Sequence, residues 1–175
     1  MTERFEDMLT GGHPNSLGRT IEVVDTVFAN PNRLEELYAC YRSADEVVRL
    51  RVSNGMRRVQ AEQSAWLIPF YDRLIDEIGN LDQASAQWTL AKLFEVGRAD
   101  LTDDQVSRAE ALMRRNLANH GDWIVLNNTM ETLALWSNDK PELRNWLLPH
   151  LKRLSKDTRK SVAKRAQKLL GKLES

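Results

Sequence analysis

Apolar residues recur along this chain at three- and four-residue intervals almost from end to end, and the two-residue alternation of strands is nearly absent. Phe5, Met8 and Leu9 mark a first short helix. Ile21, Val24, Val27 and Phe28 mark a second, about 17–29, which Asn30-Pro31 stops. Leu34, Leu37, Tyr38 and Tyr41 mark a third, about 31–42. Ser43 stands three residues ahead of Glu46, the spacing of a capping box, in which each side chain satisfies a free backbone N–H at the helix start. The fourth helix then runs to about Glu62. Six more are expected near 64–79, 82–97, 102–119, 122–137, 139–154 and 156–173. Thr102 with Gln105 and Asp139 with Glu142 repeat the capping-box spacing. Ten helices and no strand predict an all-α chain.

Two segments match each other. Residues 66–74 read WLIPFYDRL and residues 146–154 read WLLPHLKRL, with tryptophan, leucine, proline, arginine and leucine at the same offsets 80 positions apart. Proline inside a helix removes a hydrogen bond and bends it, so Pro69 and Pro149 predict the same kink in two equivalent helices. Other helix starts fall at Asp45, Asp82, Asp122 and about Ser155, with gaps of 37, 40 and 33. Such periods suit helical hairpins that cannot bury their own apolar faces and must stack.

Asp45-Glu46-Val47-Val48-Arg49, continued by Val52 and Met56, resembles the Asp-x-x-Val-Arg opening of the second helix in HEAT-like repeats, relatives of the armadillo α-solenoids. The later units keep the rhythm without the motif: Asp82-Gln-Ala-Ser-Ala lacks valine and arginine, and Asp122-Trp-Ile-Val-Leu lacks the arginine. The resemblance implies a right-handed α-α superhelix of about four hairpins in one domain, residues 1–175. Residues 1–16 are then an N-terminal short helix and loop, and 156–175 a basic C-terminal capping helix. It also implies that Asp45 and Arg49 are structural.

Composition adds the compartment and the charge pattern. One cysteine, Cys40, excludes an internal disulfide and suits a reducing compartment. The start MTERFEDMLT is too charged for a signal peptide, and no apolar run approaches a membrane span of about 20 residues. A cytoplasmic protein with no membrane partner is expected. Twenty-five Lys plus Arg balance 25 Asp plus Glu, but unevenly. Residues 1–48 hold nine acids and four bases, and residues 149–175 hold nine bases and two acids. This asymmetry permits head-to-tail self-association, hence a homo-oligomer.

Little catalytic chemistry is written here. TGGHPNSLGRT, residues 10–20, is rich in glycine, yet Gly18 is followed by Arg19-Thr20 rather than the Lys-Ser/Thr of a phosphate loop. Gly11 is expected to take the left-handed conformation after helix one, and Asn15 or Ser16 to cap helix two. An anion site at His13, Ser16 and Arg19 is the sharper alternative. The three histidines, His13, His120 and His150, have no metal-ligand spacing, and no G-x-S-x-G elbow occurs. No metal or cofactor is expected. DNA-alkylation glycosylases are built from similar repeats, and Trp123-Ile-Val-Leu-Asn127 with Gln87-Trp88 is similar to their spacing. Asn127 stands where they carry a carboxylate, and an amide supplies no charge to an oxocarbenium-like sugar.

The remaining working surface is the concave side of the stack. Arg51, Asn54 and Arg58, then Gln83, Gln87 and Trp88, then Asn127, Asn128 and Glu131 are expected to face it. Amides, arginine and aromatics there suit an extended protein or peptide partner. The expected function is thus a non-catalytic protein-binding or scaffold module. The alternative is nucleic-acid binding through the basic final helix, whose stripe of Val162, Ala163, Ala166, Leu169, Leu170 and Leu173 is flanked by lysines, aided by Arg51, Arg57, Arg58, Arg114 and Arg115.

Overall fold

The computed structural model describes residues 1–175 as ten α-helices joined by short 3₁₀ turns, with no strand. The helices are α1 Phe5–Leu9, α2 Thr20–Ala29, α3 Leu34–Ala39, α4 Glu46–Glu62, α5 Tyr71–Asp76, α6 Ala84–Val96, α7 Asp103–Asn119, α8 Trp123–Trp136, α9 Pro141–Leu154 and α10 Lys160–Glu174. No helix is long and apolar enough to cross a membrane.

Alternate helices form a row: α2 packs on α4, α4 on α6, α6 on α8 and α8 on α10. The intervening α3, α7 and α9 pack on α4, α8 and α10 respectively, and α5 packs on α7. The sequence accounts for each helix's place in the row. In α8 nine of 14 residues are buried, because neighbours cover it on several sides; past the exposed first residue Trp123, a narrow stripe through Ile124, Asn128, Glu131 and Leu135 opens between them. In α10, at the end of the row, burial shrinks to Val162, Ala166, Leu169 and Leu173, one amphipathic stripe against α8 and α9.

Polar side chains join α4 to α6 and α6 to α8. Arg49 donates to Ser43 O and to Gln83 Oε1, and Gln83 Nε2 donates back to Glu46 O, joining α4 to the start of α6. Gln60 Nε2 reaches Leu93 O, and Thr132 Oγ1 reaches Ala91 O. At the back, arginines reach the preceding helix: Arg73 pairs with Glu35 on α3, Arg108 with Asp72 and Asp76 on α5, and Arg153 donates to Leu117 O on α7. Arg73 and Arg153 occupy the same offset in the matched segments and both reach the preceding rear helix, one to a carboxylate and the other to a backbone carbonyl.

Several local expectations change. Ser64–Phe70, with Pro69, is a 3₁₀ segment leading into α5, whereas Pro149 lies inside continuous α9; the two prolines do not impose one kink. Only Thr102 with Gln105 forms a reciprocal capping box. Asp45, not Ser43, caps α4 by accepting from Val47 N, while Ser43 Oγ accepts from Asp45 N one step earlier. Helix α9 starts at Pro141 with no side-chain cap, since proline at the first turn leaves one fewer N–H to satisfy. Helix α2 starts at Thr20, too far along for Asn15 or Ser16 to cap it. Gly11 does take a left-handed conformation, φ +83°.

Candidate functional site

The side of the row away from α3, α5, α7 and α9 is its front, and several expected site residues do not reach it. Arg51 is 1% exposed. Its guanidinium points back into the loop after α1 and donates to Leu9 O (2.6 Å), Gly11 O (2.6 Å), Ser16 O (3.1 Å) and His13 O (3.2 Å). Four carbonyls converge on it because the loop bends through Gly11, Gly12 and Gly18, all with positive φ. Gln87 is buried as well, donating to the carbonyls of Ile78, Gly79 and Leu81 and accepting from Asn116. Asn127 is buried between α8 and α10 near Ser161, with Oδ1 unpartnered. These three belong to the interior, and Arg51 and Gln87 are there because long polar side chains reach backbone carbonyls that hydrophobic patterning cannot reveal.

The expected anion site also dissolves. Arg19 is held by Glu3 (2.7 Å) and Glu22 (2.8 Å), so its charge is neutralised by two carboxylates that would repel an anion. Ser16 Oγ accepts from Gly18 N, and His13 Nδ1 accepts from Asn15 N. The loop's carbonyls serve Arg51 instead. Among the other arginines grouped with nucleic acid, Arg114 pairs with Glu110 and Glu142, and Arg115 donates to Gly79 O. Arg57 and Arg58 are exposed on α4, Arg58 donating to Asn54 Oδ1.

Trp88, Asn128 and Glu131 do come together. Asn128 Nδ2 donates to Trp88 O at 3.3 Å, placing the α6 and α8 members side by side. Glu131 lies between Lys92 of α6 (3.4 Å) and Arg165 of α10 (2.5 Å), and Glu95 accepts from Thr132 Oγ1 (2.9 Å). Burial works to raise the Glu131 carboxyl, but the charges of Lys92 and Arg165 outweigh it and hold it below the usual carboxylate range. It is therefore an anion at neutral pH, occupied with its neighbours rather than poised to move a proton.

Below this ion cluster the front turns apolar. A cavity of about 280 Å³ opens between α8 and α10, lined by Leu135, Leu169 and Leu173, with Glu95, Glu131 and Lys172 at its edge. A wider cleft of about 640 Å³ adjoins it, sharing Glu95, Leu135 and Asn138 and adding Val96, Arg98 and Trp136. Leu135 is 53% exposed and Val96 is 60% exposed. Arg98 lies 5.1 Å over the Trp136 ring, whose Nε1 is buried without a partner. Compared with protein-family models and with curated protein sequences, the chain matches none.

Sequence reasoning missed Leu135 and Val96. A signal for Leu135 existed: it falls seven residues after Asn128 and four after Glu131, so an apolar residue sits on the polar stripe of α8. Trp88 is half-buried, and Gln83 lies at the start of α6, tied to Arg49 and Ser85. No cluster of three or more His, Cys, Asp or Glu side chains is placed to hold a metal ion.

Proposed function

We propose that this chain is a non-catalytic α-solenoid of HEAT-like hairpins that binds an extended protein segment across the front of its helix row. The row order α2–α4–α6–α8–α10, backed by arginine contacts from one rear helix to the one before, supports the superhelical reading. The observation that carries the function is the pair of exposed apolar side chains, Leu135 and Val96, beside a leucine-lined cavity on an otherwise polar face. Burying such side chains against a partner is favourable by about 25 cal/mol per Å² of apolar area. The cavity lies just below the size range of drug-sized ligand pockets, about 300–1,000 Å³, and suits one or two anchoring side chains. Asn54, Arg58, Trp88 and Asn128 would flank the segment farther along, giving a polar rim around an apolar anchor.

A displayed-peptide selection against the intact protein tests this. Enriched peptides should share an apolar anchor and lose at least about tenfold in affinity on Leu135→Asp, the effect of losing about 1.4 kcal/mol. Failure to enrich any peptide, or enriched peptides that bind L135D as well as the parent, would remove the groove from consideration.

A further inference from the structure

A second surface lies on α10, touching that cavity only at Lys172, and the inference drawn from it does not rest on the groove. Lys160, Lys164, Lys168 and Lys172 follow one another every four residues and all are exposed. A four-residue step rises about 6 Å and turns about 40°, so the four ammonium groups form a gently winding row about 18 Å long. The row lies on the side opposite Val162, Ala166, Leu169 and Leu173, the residues that fasten α10 to α8 and α9. Only Ser161 and Gly171 share that outward face, so nothing bulky or acidic separates the lysines.

None of the four has a carboxylate within ion-pair distance. The acids of this end are occupied otherwise: Asp157 by Arg159 and Glu174 by Lys152, while Arg165 turns inward to Glu131. At the other end of the chain Glu3 and Glu22 pair with Arg19, Glu35 with Arg73 and Glu36 with Arg33, while Asp7, Asp25 and Glu46 are exposed without an ion pair.

We infer that the outward face of α10 binds the phosphate backbone of duplex nucleic acid without reading its sequence. Each strand of a duplex carries a phosphate about every 3.4 Å of axis, so the row spans about five phosphates. Lysines serve as point charges for phosphate, whereas base reading relies on bidentate Arg, Asn or Gln groups. The nearest candidates are committed elsewhere, Arg165 to Glu131 and Gln167 to Ser155 O. No aromatic residue lies on α10 to stack an unpaired base, which favours duplex over single strand. A membrane surface fits less well, because the apolar stripe that would enter lipid is already buried in the protein.

The test is a fluorescence-anisotropy titration of two labelled duplexes of unrelated sequence at about 50 and about 200 mM salt. Four phosphate contacts predict a slope near −3.6 in log K against log salt, or about a 150-fold fall in affinity over that range, equal for both sequences. The quadruple variant K160Q/K164Q/K168Q/K172Q should lose binding while its helical circular dichroism is unchanged. Leu135→Asp, which disables the groove, should leave duplex binding intact. No duplex binding by the intact protein at the lower salt would overturn the proposal, as would full binding by the quadruple variant. Preference for one duplex by more than about tenfold would show base reading and overturn it too. Stronger lysine-dependent binding to vesicles of anionic lipid or to polyglutamate would assign the row to another polyanion, with the same consequence.

Discussion

Replacing Arg51 by methionine is the most demanding trial of the interior described above. The parent side chain is 1% exposed and makes four hydrogen bonds to carbonyls, with no carboxylate paired to it. In Arg51→Met the carbonyls of Gly11, His13 and Ser16 belong to exposed residues and regain water, whereas Leu9 is fully buried and its carbonyl loses its partner. An orphaned buried acceptor costs about 1–3 kcal/mol, and charge-assisted bonds are worth about 1.5–3 each before water replaces them. Against this, the uncompensated burial of a cation is itself unfavourable, and its removal recovers part of the loss. The balance is a destabilisation of about 2–4 kcal/mol. For a domain of this size each kcal/mol moves Tm by about 2–4 °C, so the transition should drop by about 5–15 °C. Thermal unfolding followed by circular dichroism reads the shift, and amide hydrogen exchange should rise selectively across residues 9–18. Arg58→Met is the control: that exposed arginine bonds only Asn54, and its loss should change stability by no more than about 0.5 kcal/mol. An R51M protein within about 0.5 kcal/mol of the parent, with loop exchange unaltered, would refute the carbonyl clamp.

Three further outcomes follow from the same structure. Gly97→Ala should destabilise by about 1–3 kcal/mol, because a methyl there would overlap the Tyr71 hydroxyl that accepts from Gln60; adding Tyr71→Phe should restore part of the loss in urea unfolding. Glu131→Gln should lower Tm at pH 7. Since the folded-state carboxyl is held below its unfolded value near 4.3, its stabilisation is present above that pH and lost as pH falls through the folded value, so the parent–variant gap in Tm should be constant above about pH 5 and narrow progressively as pH falls below the unfolded value. Burial, with Glu6 and Glu36 nearby, pushes the Cys40 thiol up to about 11, so at pH 8 a thiol-specific disulfide reagent should label the native protein far more slowly than the urea-unfolded chain.

The helical class, the positions of most helices and the repeated Trp-Leu-Pro-Arg-Leu segment were legible in the chain because apolar spacing reports which residues of a helix meet a neighbour. That reasoning needs only local periodicity, and it succeeds wherever a helix has one covered side, as α10 shows. It fails where coverage comes from several directions. In α8 the partners α6, α7, α9 and α10 leave one narrow stripe, and although spacing puts Leu135 in line with Asn128 and Glu131, only the packing shows that this leucine stays open. Polar residues were misplaced for a related reason. Arg51, Gln87 and Asn127 have the hydrophilicity of surface groups, yet each lies against elements distant in sequence, and Arg51 and Gln87 bond to carbonyls that only folding brings near. Charge counts behaved likewise: the chain's composition determined that the two ends differ in sign, but tertiary pairing decided which charges are matched, Glu3 and Glu35 by arginines and Arg165 by Glu131, and which lysines of the last helix stay unpaired. Burial patterns are written locally and can be read from one sequence. Hydrogen-bond and ion-pair partners are set by which helices become neighbours, and so they belong to the tertiary structure.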